Sequence, residues 1–274
     1  MIQKKYNIRE FIGKGKFGSV FLGENIHTKE KVAIKIEDKS NDEISILKNE
    51  TKILEYLSRN GLRTQIPQVF WFGIYNNIHY ALIMTHLDGK DLSFFGREDY
   101  AFINNWFISA INILEKIHIY GVIHRDIKPA HFIFVNKWVL IDFGFATFVP
   151  QESSTTNDYI IGTPNYISIN IHNGLKPTPI DDIWAVVYIY IRILLPELFV
   201  FCINSSSEDK YPSNHILNIH NQIRKEKKES WNNPIFWEKV EKEEISGLIQ
   251  LLLCCQNKKD IPYTTIRNLL QKTI

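Results

Sequence analysis

Two aspartates stand where their carboxylates could handle a phosphate. Asp126 lies in the polar run His124-Arg125-Asp126-Ile127-Lys128, and Asp142 follows the apolar run Val139-Leu140-Ile141 and precedes Phe143-Gly144. One carboxylate can orient or accept the proton of an attacking hydroxyl, while another holds Mg²⁺ on phosphate oxygens. Lys128 is placed to neutralise charge on a transferring phosphoryl group. These residues suit phosphoryl transfer, with Asp126 as the base and Asp142 as the metal ligand.

A lysine and a glutamate upstream could bind the phosphates themselves. Lys35 ends the run Val32-Ala33-Ile34-Lys35, and Glu50 lies on the apolar stripe of the next helical pattern. A strand lysine flanked by apolar residues is partly desolvated and needs an anionic partner, which Glu50 can supply. Together they would hold the ammonium toward the α- and β-phosphates of a nucleotide. Taken alone, Lys35 would sooner indicate an exposed strand lysine.

A glycine-rich segment precedes this lysine. The segment Gly13-Lys14-Gly15-Lys16-Phe17-Gly18-Ser19-Val20 lies between two predicted strands. Positions without side chains, here Gly13, Gly15 and Gly18, let backbone N–H groups approach phosphate oxygens closely. A plain hairpin turn explains the segment equally well. A dinucleotide-binding turn does not, because a strand and not a helix follows it.

Strand-like and helix-like patterns occupy different parts of the chain. Short β-rich runs are predicted at Tyr6 to Gly13, Val20 to Gly23, Lys31 to Glu37, Val69 to Ile74, and His79 to Thr85. Among them stands one helical pattern, Ile46 to Leu57, which is closed by Asn60-Gly61. Further helices are predicted at Phe102 to Tyr120, Ile183 to Leu195, Glu238 to Leu253, and Thr264 to Lys272.

These patterns predict an α+β fold in a single domain. A small β-rich N-lobe with one main helix would occupy about residues 1–85, followed by a hinge at about 85–90. A larger, mostly helical C-lobe would occupy about residues 91–274. The polar irregular segments with Asp126 and Asp142 would then lie near the junction, which is a natural place for a cleft.

Bulk composition narrows the class of protein. The chain has 274 residues, of which 45% are hydrophobic and 23% charged, and a formal net charge of +2. Such a small charge gives no reason to expect nucleic acid or an anionic membrane surface as a partner. The segment Ile183 to Cys202 approaches the length of a membrane span. Arg192, Pro196 and Glu197 interrupt it, so we predict a buried helix instead.

The cysteines and the N-terminus bear on the compartment. The three cysteines lack metal-ligand spacing and favour a reducing environment: Cys202, Cys254 and Cys255. Residues 1–6 are not followed by an apolar signal run. We therefore expect a protein of the cytoplasm or nucleus that is neither secreted nor membrane-spanning. Separately, we expect a monomer, although no sequence feature fixes the oligomeric state.

In order and spacing, these segments resemble the signature set of the eukaryotic protein kinases: glycine-rich loop, strand lysine, helix glutamate, His-Arg-Asp loop and Asp-Phe-Gly. The resemblance extends from Tyr6 to the C-terminal helices and implies a bilobal kinase fold that uses ATP and Mg²⁺ to phosphorylate proteins. It implies nucleotide contacts at Gly13, Gly15, Gly18, Val20, Ala33, Lys35, Glu50 and Met84, with adenine near the hinge after Met84. Lys128 resembles the serine/threonine-specific form of the catalytic loop.

The segment Gly162 to His172 bears on the kinase group. It lacks the usual Ala-Pro-Glu triplet and has Ser168-Ile169-Asn170 there, which resembles the casein kinase I group. Asp181-Asp182-Ile183-Trp184 and Val32 to Glu37 resemble that group too, and the vaccinia-related kinases are the next closest branch. A composition rich in Ile, Asn and Lys suggests a large DNA virus or a parasite. The group's preference for acidic substrates is not carried over, because Gln151 to Ile161 has no Lys or Arg.

One position departs from the family pattern. Kinases carry Asn five residues after the catalytic aspartate, where it gives the second Mg²⁺ an oxygen ligand, whereas this chain has His131. A neutral imidazole offers nitrogen, which suits Mg²⁺ poorly. Three consequences stay open: the enzyme uses one well-held metal, it works better with Mn²⁺, or its activity is impaired.

The alternative to an active kinase is therefore a pseudokinase that binds nucleotide or a partner protein. A small-molecule phosphotransferase is less favoured, because in kinases the segment that corresponds to Gly162–His172 positions a peptide.

Three further segments have simpler interpretations. Ser153, Ser154, Thr155 and Thr156 lie where activating phosphorylation occurs in many kinases, and a phosphate there could pair with Arg125. A solvated loop is the favoured interpretation. Asn204-Ser205-Ser206 matches a glycosylation acceptor but is predicted to be only a loop. The mixed-sign run Arg224 to Glu229 predicts a solvated helix or loop face.

Overall fold

The computed structural model of the chain describes residues 1–15, 18–39, 45–149, 160–198, 213–242, 245–255 and 261–271. By their contacts the residues group into two compact units: Met1–Leu92 with His131–Ala146, and Ser93–Ala130 with Thr147–Ile274. The predicted lobe and hinge boundaries stay a prediction. Several residues named above lie outside the described part of the chain: Lys16, Phe17, residues 151–159, residues 199–202, residues 204–206, residues 243–244 and Lys272.

The secondary structure confirms the predicted α+β class. The strands are β1 (Tyr6–Gly15), β2 (Gly18–Asn25), β3 (Lys31–Asp38), β4 (Val69–Tyr75), β5 (His79–Thr85), β6 (Lys90–Asp91), β7 (Val122–Ile123), β8 (Phe132–Phe134), β9 (Trp138–Leu140) and β10 (Thr147–Phe148). The helices are α1 (Ile46–Arg59), α2 (Tyr100–Ile119), α3 (Ile169–His172), α4 (Pro179–Leu194), α5 (Ser213–Trp231), α6 (Pro234–Lys242), α7 (Ser246–Cys255) and α8 (Tyr263–Gln271). Strands therefore dominate the N-terminal part and helices the C-terminal part.

The first unit is built on an antiparallel sheet with the strand order β1-β2-β3-β5-β4. Alternate residues of β3 and β5 are buried on one face, where the N-terminus covers them: Val32, Ile34, Ala81 and Ile83, with Ile2 and Tyr6. The residues between them, Ala33 and Lys35 among them, point to the other face. A smaller sheet in the same unit has the order β6-β8-β9.

Helix α1, which carries Glu50, has bounds that follow from its sequence. Ser45 caps the N-terminus, because its Oγ accepts a hydrogen bond from the backbone N–H of Lys48 at 3.1 Å. The apolar residues of the helix recur at three-and-four spacing and are buried: Leu47, Ile53, Leu54 and Leu57. The helix ends before Gly61, whose φ of 96° is a conformation that favours glycine.

Helix α4 is the buried centre of the second unit. Pro179 fills the first turn, where a backbone N–H is not needed, and Asp181 accepts hydrogen bonds from the backbone N–H and hydroxyl of Thr178 at 2.7 and 2.8 Å. Nearly every side chain of α4 is buried, as the sequence predicts. The Tyr190 ring stacks on Phe107 of α2, with ring centroids 4.2 Å apart. No helix in the described part of the chain is both long and apolar enough to cross a membrane.

The prediction of one helix from Glu238 to Leu253 is wrong. The structure has α6 and α7 there, and the backbone N–H of Ile245 donates to the carbonyl of Val240 at 3.1 Å. The Ile245 side chain is buried, so the chain turns to bring it into the core. Apolar periodicity gives no signal for this break, because the pattern resumes at Leu248.

The prediction that Arg224 to Glu229 forms a solvated face is wrong for one residue. The run lies within α5, where Ile219, Ile223 and Lys227 follow one another at a spacing of four. That spacing places all three on one face of the helix, and all three are buried. Lys227 is thus a core residue inside a charged run.

Candidate active site

The candidate site residues fall in both units and are described unit by unit. In the first unit, the strand register brings the predicted nucleotide contacts onto one face of the sheet. Val20 lies opposite Lys35 on the neighbouring strand, and Ala33 lies opposite Met84. Directly opposed residues of antiparallel strands point the same way, and Ala33 and Lys35 do so because they are two apart. Gly13 lies opposite Val20 and belongs to the same face.

The glycine-rich hairpin needs glycine at one position for a steric reason. Gly15 lies opposite Gly18 where β1 and β2 meet. A Cβ atom on Gly18 would lie 2.1 Å from the carbonyl oxygen of Ile36 on β3, far inside van der Waals contact. No such neighbour lies within 4 Å of a Cβ on Gly13, so glycine there leaves open space above the sheet face. Open backbone of this kind suits close approach by a phosphate.

Lys35, Glu50 and Asp142 form a tight ionic cluster in the first unit. The Lys35 ammonium lies 2.7 Å from Oε1 and 2.9 Å from Oε2 of Glu50, and 3.2 Å from Oδ1 of Asp142. The Glu50 side chain is 1% exposed and that of Lys35 15% exposed. Burial opposes the charge on Lys35, but the two carboxylates outweigh it and raise the pKa of Lys35 above its usual value. The cluster therefore holds a permanent cation.

His131 joins this cluster through Asp142. Its Nε2 lies 3.2 Å from Oδ2 of Asp142, so each carboxylate oxygen has a nitrogen neighbour. Burial alone would raise the pKa of the Asp142 carboxyl, yet Lys35 and the hydrogen bond from His131 hold it well below its ordinary value. Asp142 also has a φ of 64°, an uncommon conformation for a residue other than glycine. An ionised, conformationally fixed carboxylate results, with 41% of its side chain exposed.

The donor atoms of this cluster can be compared with the ligands that a divalent metal ion prefers. Asp142 offers a carboxylate oxygen that reaches solvent, whereas the His131 Nε2 beside it donates a hydrogen bond to that carboxylate and so offers a metal no lone pair. Within the described ranges, no group of three or more His, Cys, Asp or Glu side chains could hold a metal ion. Mg²⁺ typically takes one or two carboxylates together with phosphate oxygens and water. The donor set thus fits a metal that arrives with a nucleotide, and does not fit a cage built by protein side chains alone.

In the second unit, both carboxylate oxygens of Asp126 have partners. The hydroxyl of Thr163 donates to Oδ1 at 2.7 Å, and the Lys128 ammonium lies 3.2 Å from Oδ2. The structure thus brings together the predicted pair Asp126 and Lys128. Thr163 is a contact that the sequence did not reveal, because it lies 37 residues away and only the fold joins it to Asp126.

Asp182 fixes the backbone that carries Asp126. Its carboxylate accepts hydrogen bonds from the backbone N–H groups of His124 at 2.8 Å and Arg125 at 2.9 Å, and His118 Nε2 lies 2.9 Å away. Burial opposes ionisation, but His118 and the His124 backbone lower the pKa of Asp182 below its usual value. Arg125 has a φ of 68°, so the chain just before Asp126 is held in a strained form.

Comparison with known proteins decides the family. The model of the protein kinase domain matches residues 6–272 of this chain. The chain belongs to the protein kinase family. A protein of Caenorhabditis elegans named "Putative casein kinase I" is 27% identical over 213 residues, which are 72% of this chain and 62% of the relative. The match therefore covers less than two thirds of the relative's own length.

The first-unit group around Lys35 and the second-unit group around Asp126 both belong to a protein kinase domain. A protein kinase is a phosphotransferase that uses ATP and a divalent metal. The four first-unit residues Lys35, Glu50, His131 and Asp142 lie together. The second-unit pair Asp126 and Lys128 also lies together. Asp182 had a sequence signal only as part of a resemblance, and its contacts with the backbone of His124 and Arg125 had none.

Buried polar groups form hydrogen bonds that hold the segment Gly162 to His172 in place. Ser168 caps α3 and donates to Oδ1 of Asp181 at 2.5 Å, and the Lys227 ammonium donates to the backbone carbonyl of Ile167 at 2.6 Å. Burial raises the pKa of Asp181 to about 6, although Ser168 donates to its carboxylate. Gly162 has a φ of 114°, and a Cβ there would lie 2.5 Å from the carbonyl oxygen of Arg125. Ser168 thus has a structural task in this segment.

Proposed function

We propose that the chain is an ATP-dependent serine/threonine protein kinase of the casein kinase I type. The observation that carries this proposal is the cluster of Lys35, Glu50 and Asp142. A permanent cation on a sheet face bordered by a glycine hairpin suits the phosphates of a nucleotide, and Glu50 keeps it in place. An ionised Asp142 beside it suits a divalent metal.

The first-unit residues bind and orient the nucleotide in this proposal. Val20, Ala33 and Met84 form an apolar surface for the adenine, and the Lys35 ammonium takes the α- and β-phosphates. Asp142 would hold the divalent metal, which when bound neutralises charge on the β- and γ-phosphates. Because these groups are positioned before substrate binds, little reorganisation is needed when charge develops during transfer.

The second-unit residues act on the hydroxyl of the protein substrate. Asp126 accepts the hydroxyl proton, while the hydroxyl oxygen forms a bond to the γ-phosphorus and the bond from that phosphorus to the bridging oxygen of ADP breaks. The Thr163 hydrogen bond at 2.7 Å orients the Asp126 carboxylate. Lys128 neutralises charge on the phosphoryl group in transit.

Specificity for serine and threonine, and likeness to casein kinase I, rest on sequence and on one relative. Lys128 resembles the serine/threonine form of the catalytic loop, and Ser168-Ile169-Asn170 replaces the usual triplet. The relative from Caenorhabditis elegans carries the name of that group. The expected substrates are therefore serine and threonine hydroxyls in proteins, without the group's acidic preference.

A nucleotide-binding pseudokinase is the second candidate, and His131 favours it. Its Nε2 stands 3.2 Å from Asp142, on the carboxylate that would hold the metal. Nitrogen suits Mg²⁺ poorly, so this contact could leave nucleotide binding intact and remove turnover.

The deciding experiment is transfer of labelled γ-phosphate to a generic protein substrate, followed by phosphoamino-acid analysis, with Mg²⁺ and Mn²⁺ compared. Label on serine or threonine that disappears in the Asp126→Asn protein supports the proposal. Label on tyrosine would overturn the specificity. Thermal stabilisation by ATP with no transfer under either metal would favour the pseudokinase.

A further inference from the structure

Helix α1 is capped by a side chain that comes from another element. Glu37, on strand β3, accepts hydrogen bonds from the backbone N–H of Leu47 at 2.8 Å and of Ile46 at 3.2 Å. Its Oε2 also accepts from the Ser45 hydroxyl at 3.0 Å. The first N–H groups of a helix have no partner within the helix, and a carboxylate there also suits the helix dipole. Glu37 therefore ties the start of α1 to the strand that carries Lys35, two residues away.

A second contact ties the same turn of α1 to the segment after Asp142. The Asn49 side-chain amide donates to the carbonyl of Gly144 at 2.9 Å and to that of Ala146 at 2.9 Å. Both partners are carbonyl oxygens, so only the NH₂ group of Asn49 can face them. A Cβ atom on Gly144 would lie 2.6 Å from Cγ2 of Ile46, so the segment also packs closely against the helix start.

The hydrogen bonds of Glu37 and of Asn49 are both made close in sequence to members of the ionic cluster. Glu37 lies two residues after Lys35, Asn49 lies one residue before Glu50, and Gly144 lies two residues after Asp142. Each member of the cluster is thus covalently close to a residue that bonds to another element. A shift of α1 that separated Glu50 from Lys35 would therefore also break the hydrogen bonds of Glu37 and Asn49.

We propose that Glu37 and Asn49 are positioning residues that act through the Lys35–Glu50 pair, holding it in the geometry needed for phosphoryl transfer. The proposal rests on the proposed function. Asn49 belongs to no motif named above, and Glu37 is the last residue of the Val32 to Glu37 stretch, to which the sequence assigned no role for this glutamate. Their effect is on the turnover step, because an error of about 1 Å in the position of a reacting group slows the chemical step strongly, while binding of ATP tolerates it better.

The first arm of the test compares kinetics of Asn49→Leu, which keeps the branching at Cγ but removes the donor, with Lys48→Leu, which introduces the same residue at the exposed neighbouring position. We expect kcat to fall about tenfold for Asn49→Leu, with KM for ATP changed less than about threefold.

Glu37→Gln should lower kcat about threefold, whereas Glu55→Gln at an exposed carboxylate of α1 should not. Equal losses in variants and controls would overturn the proposal.

The second arm asks whether Asn49 acts through Glu50. In a Glu50→Gln background the pair is already disrupted, so Asn49→Leu should lower kcat less than about twofold further. A further tenfold loss in that background would show an independent, structural role and would overturn the proposal.

The third arm needs no turnover, so it separates failure of this proposal from failure of the kinase assignment. Amide hydrogen exchange of Ile46–Arg59 should rise about tenfold in Asn49→Leu and stay unchanged in Lys48→Leu, with ATP present in both. If the wild-type protein transfers no phosphate but this difference is found, the positioning role stands and the proposed function fails. Unchanged exchange in Asn49→Leu would contradict the positioning role itself.

Discussion

Lys35 in the first unit has only 15% of its side chain exposed and Lys227 in the second is buried, and their surroundings differ in kind. The Lys35 ammonium has two carboxylates within 3.2 Å, those of Glu50 and Asp142. The Lys227 ammonium instead donates to the carbonyls of Ile167 and Pro164 at 2.6 and 3.3 Å. It also lies 4.2 Å from the centroid of the Tyr188 ring. Ionised carboxylates surround the Lys35 ammonium, whereas neutral backbone carbonyls surround the Lys227 ammonium.

The pKa of each lysine responds accordingly. Burial acts against both ammonium groups, but the carboxylates raise the pKa of Lys35 above its usual value. Burial lowers the pKa of Lys227 well below its usual value. A lysine that stays charged while facing an open sheet surface can bind phosphates. A fully enclosed lysine can serve only the packing and hydrogen bonding of its own unit.

The largest effect is expected for Lys35→Met. Loss of the cation that is proposed to bind the phosphates should reduce kcat/KM by about 10²- to 10³-fold, as measured by transfer of labelled phosphate. The matched control is Lys31→Met on the same strand, where the lysine is exposed and pairs with Asp88 at 3.0 Å. Activity of Lys35→Met within tenfold of wild type would show that the cluster is not the phosphate site.

Lys227→Met should affect stability and leave catalysis nearly unchanged. The carbonyls of Ile167 and Pro164 would lose their donor in a buried place, which should lower the free energy of unfolding by about 3 kcal/mol. Urea unfolding measures the loss, and Lys225→Met at an exposed position of α5 serves as the control. A hundredfold loss of kcat with unchanged stability would reverse the proposed division of roles between the two lysines.

The difference between the lysines also marks what the sequence could reveal. Lys35 stands in a short apolar strand run, and Glu50 stands on the apolar stripe of the next helix, so local patterns predict both positions. Asp126 and Asp142 likewise follow recognisable local runs. Lys227 lies within a run of charges, and its burial depends on which face of α5 packs inward. That outcome is decided by tertiary packing.

Contacts that join distant parts of the chain were equally hidden. Asn49 bonds to residues 95 and 97 positions later, and Thr163 bonds to Asp126 across 37 positions. Asparagine and threonine are common residues, so their types carry no signal until the fold brings the partners together. The sequence could therefore predict the ionic groups of the candidate site but not the side chains that orient them.

Lowering the pH should lower the free energy of unfolding through His172, which lies beside Lys227. Burial, with Lys227 and His220 nearby, lowers the pKa of His172 to about 2, whereas an unfolded histidine titrates near 6.5. Its contribution to stability is complete above pH 6.5 and is lost as the pH falls, by about 2 kcal/mol at pH 5. His172→Asn should remove that part of the pH dependence, as measured by urea unfolding at pH 5 and 7.5.

The His172→Asn protein must be compared with the wild type because other groups also titrate as the pH falls from 7.5 to 5. Asp181, with a pKa of about 6, contributes most stability at low pH and loses it as the pH rises, which is the opposite sign. His220, whose pKa burial lowers, faces His172 at 3.1 Å and titrates in the same sense as His172. A His172→Asn profile parallel to that of the wild type would contradict the assignment.

The smallest effect is expected at His131, the residue that departs from the kinase pattern beside Lys35. His131→Asn replaces an imidazole nitrogen 3.2 Å from Asp142 with an amide oxygen that Mg²⁺ prefers. The Mg²⁺-dependent rate should rise about threefold and the ratio of Mn²⁺ to Mg²⁺ activity should fall. His79→Asn, which alters another histidine–aspartate pair of the first unit at 2.7 Å, should change neither. A lower Mg²⁺ rate with an unchanged metal ratio would mean that His131 supports Asp142, and that the nitrogen beside the carboxylate is an adaptation of this kinase.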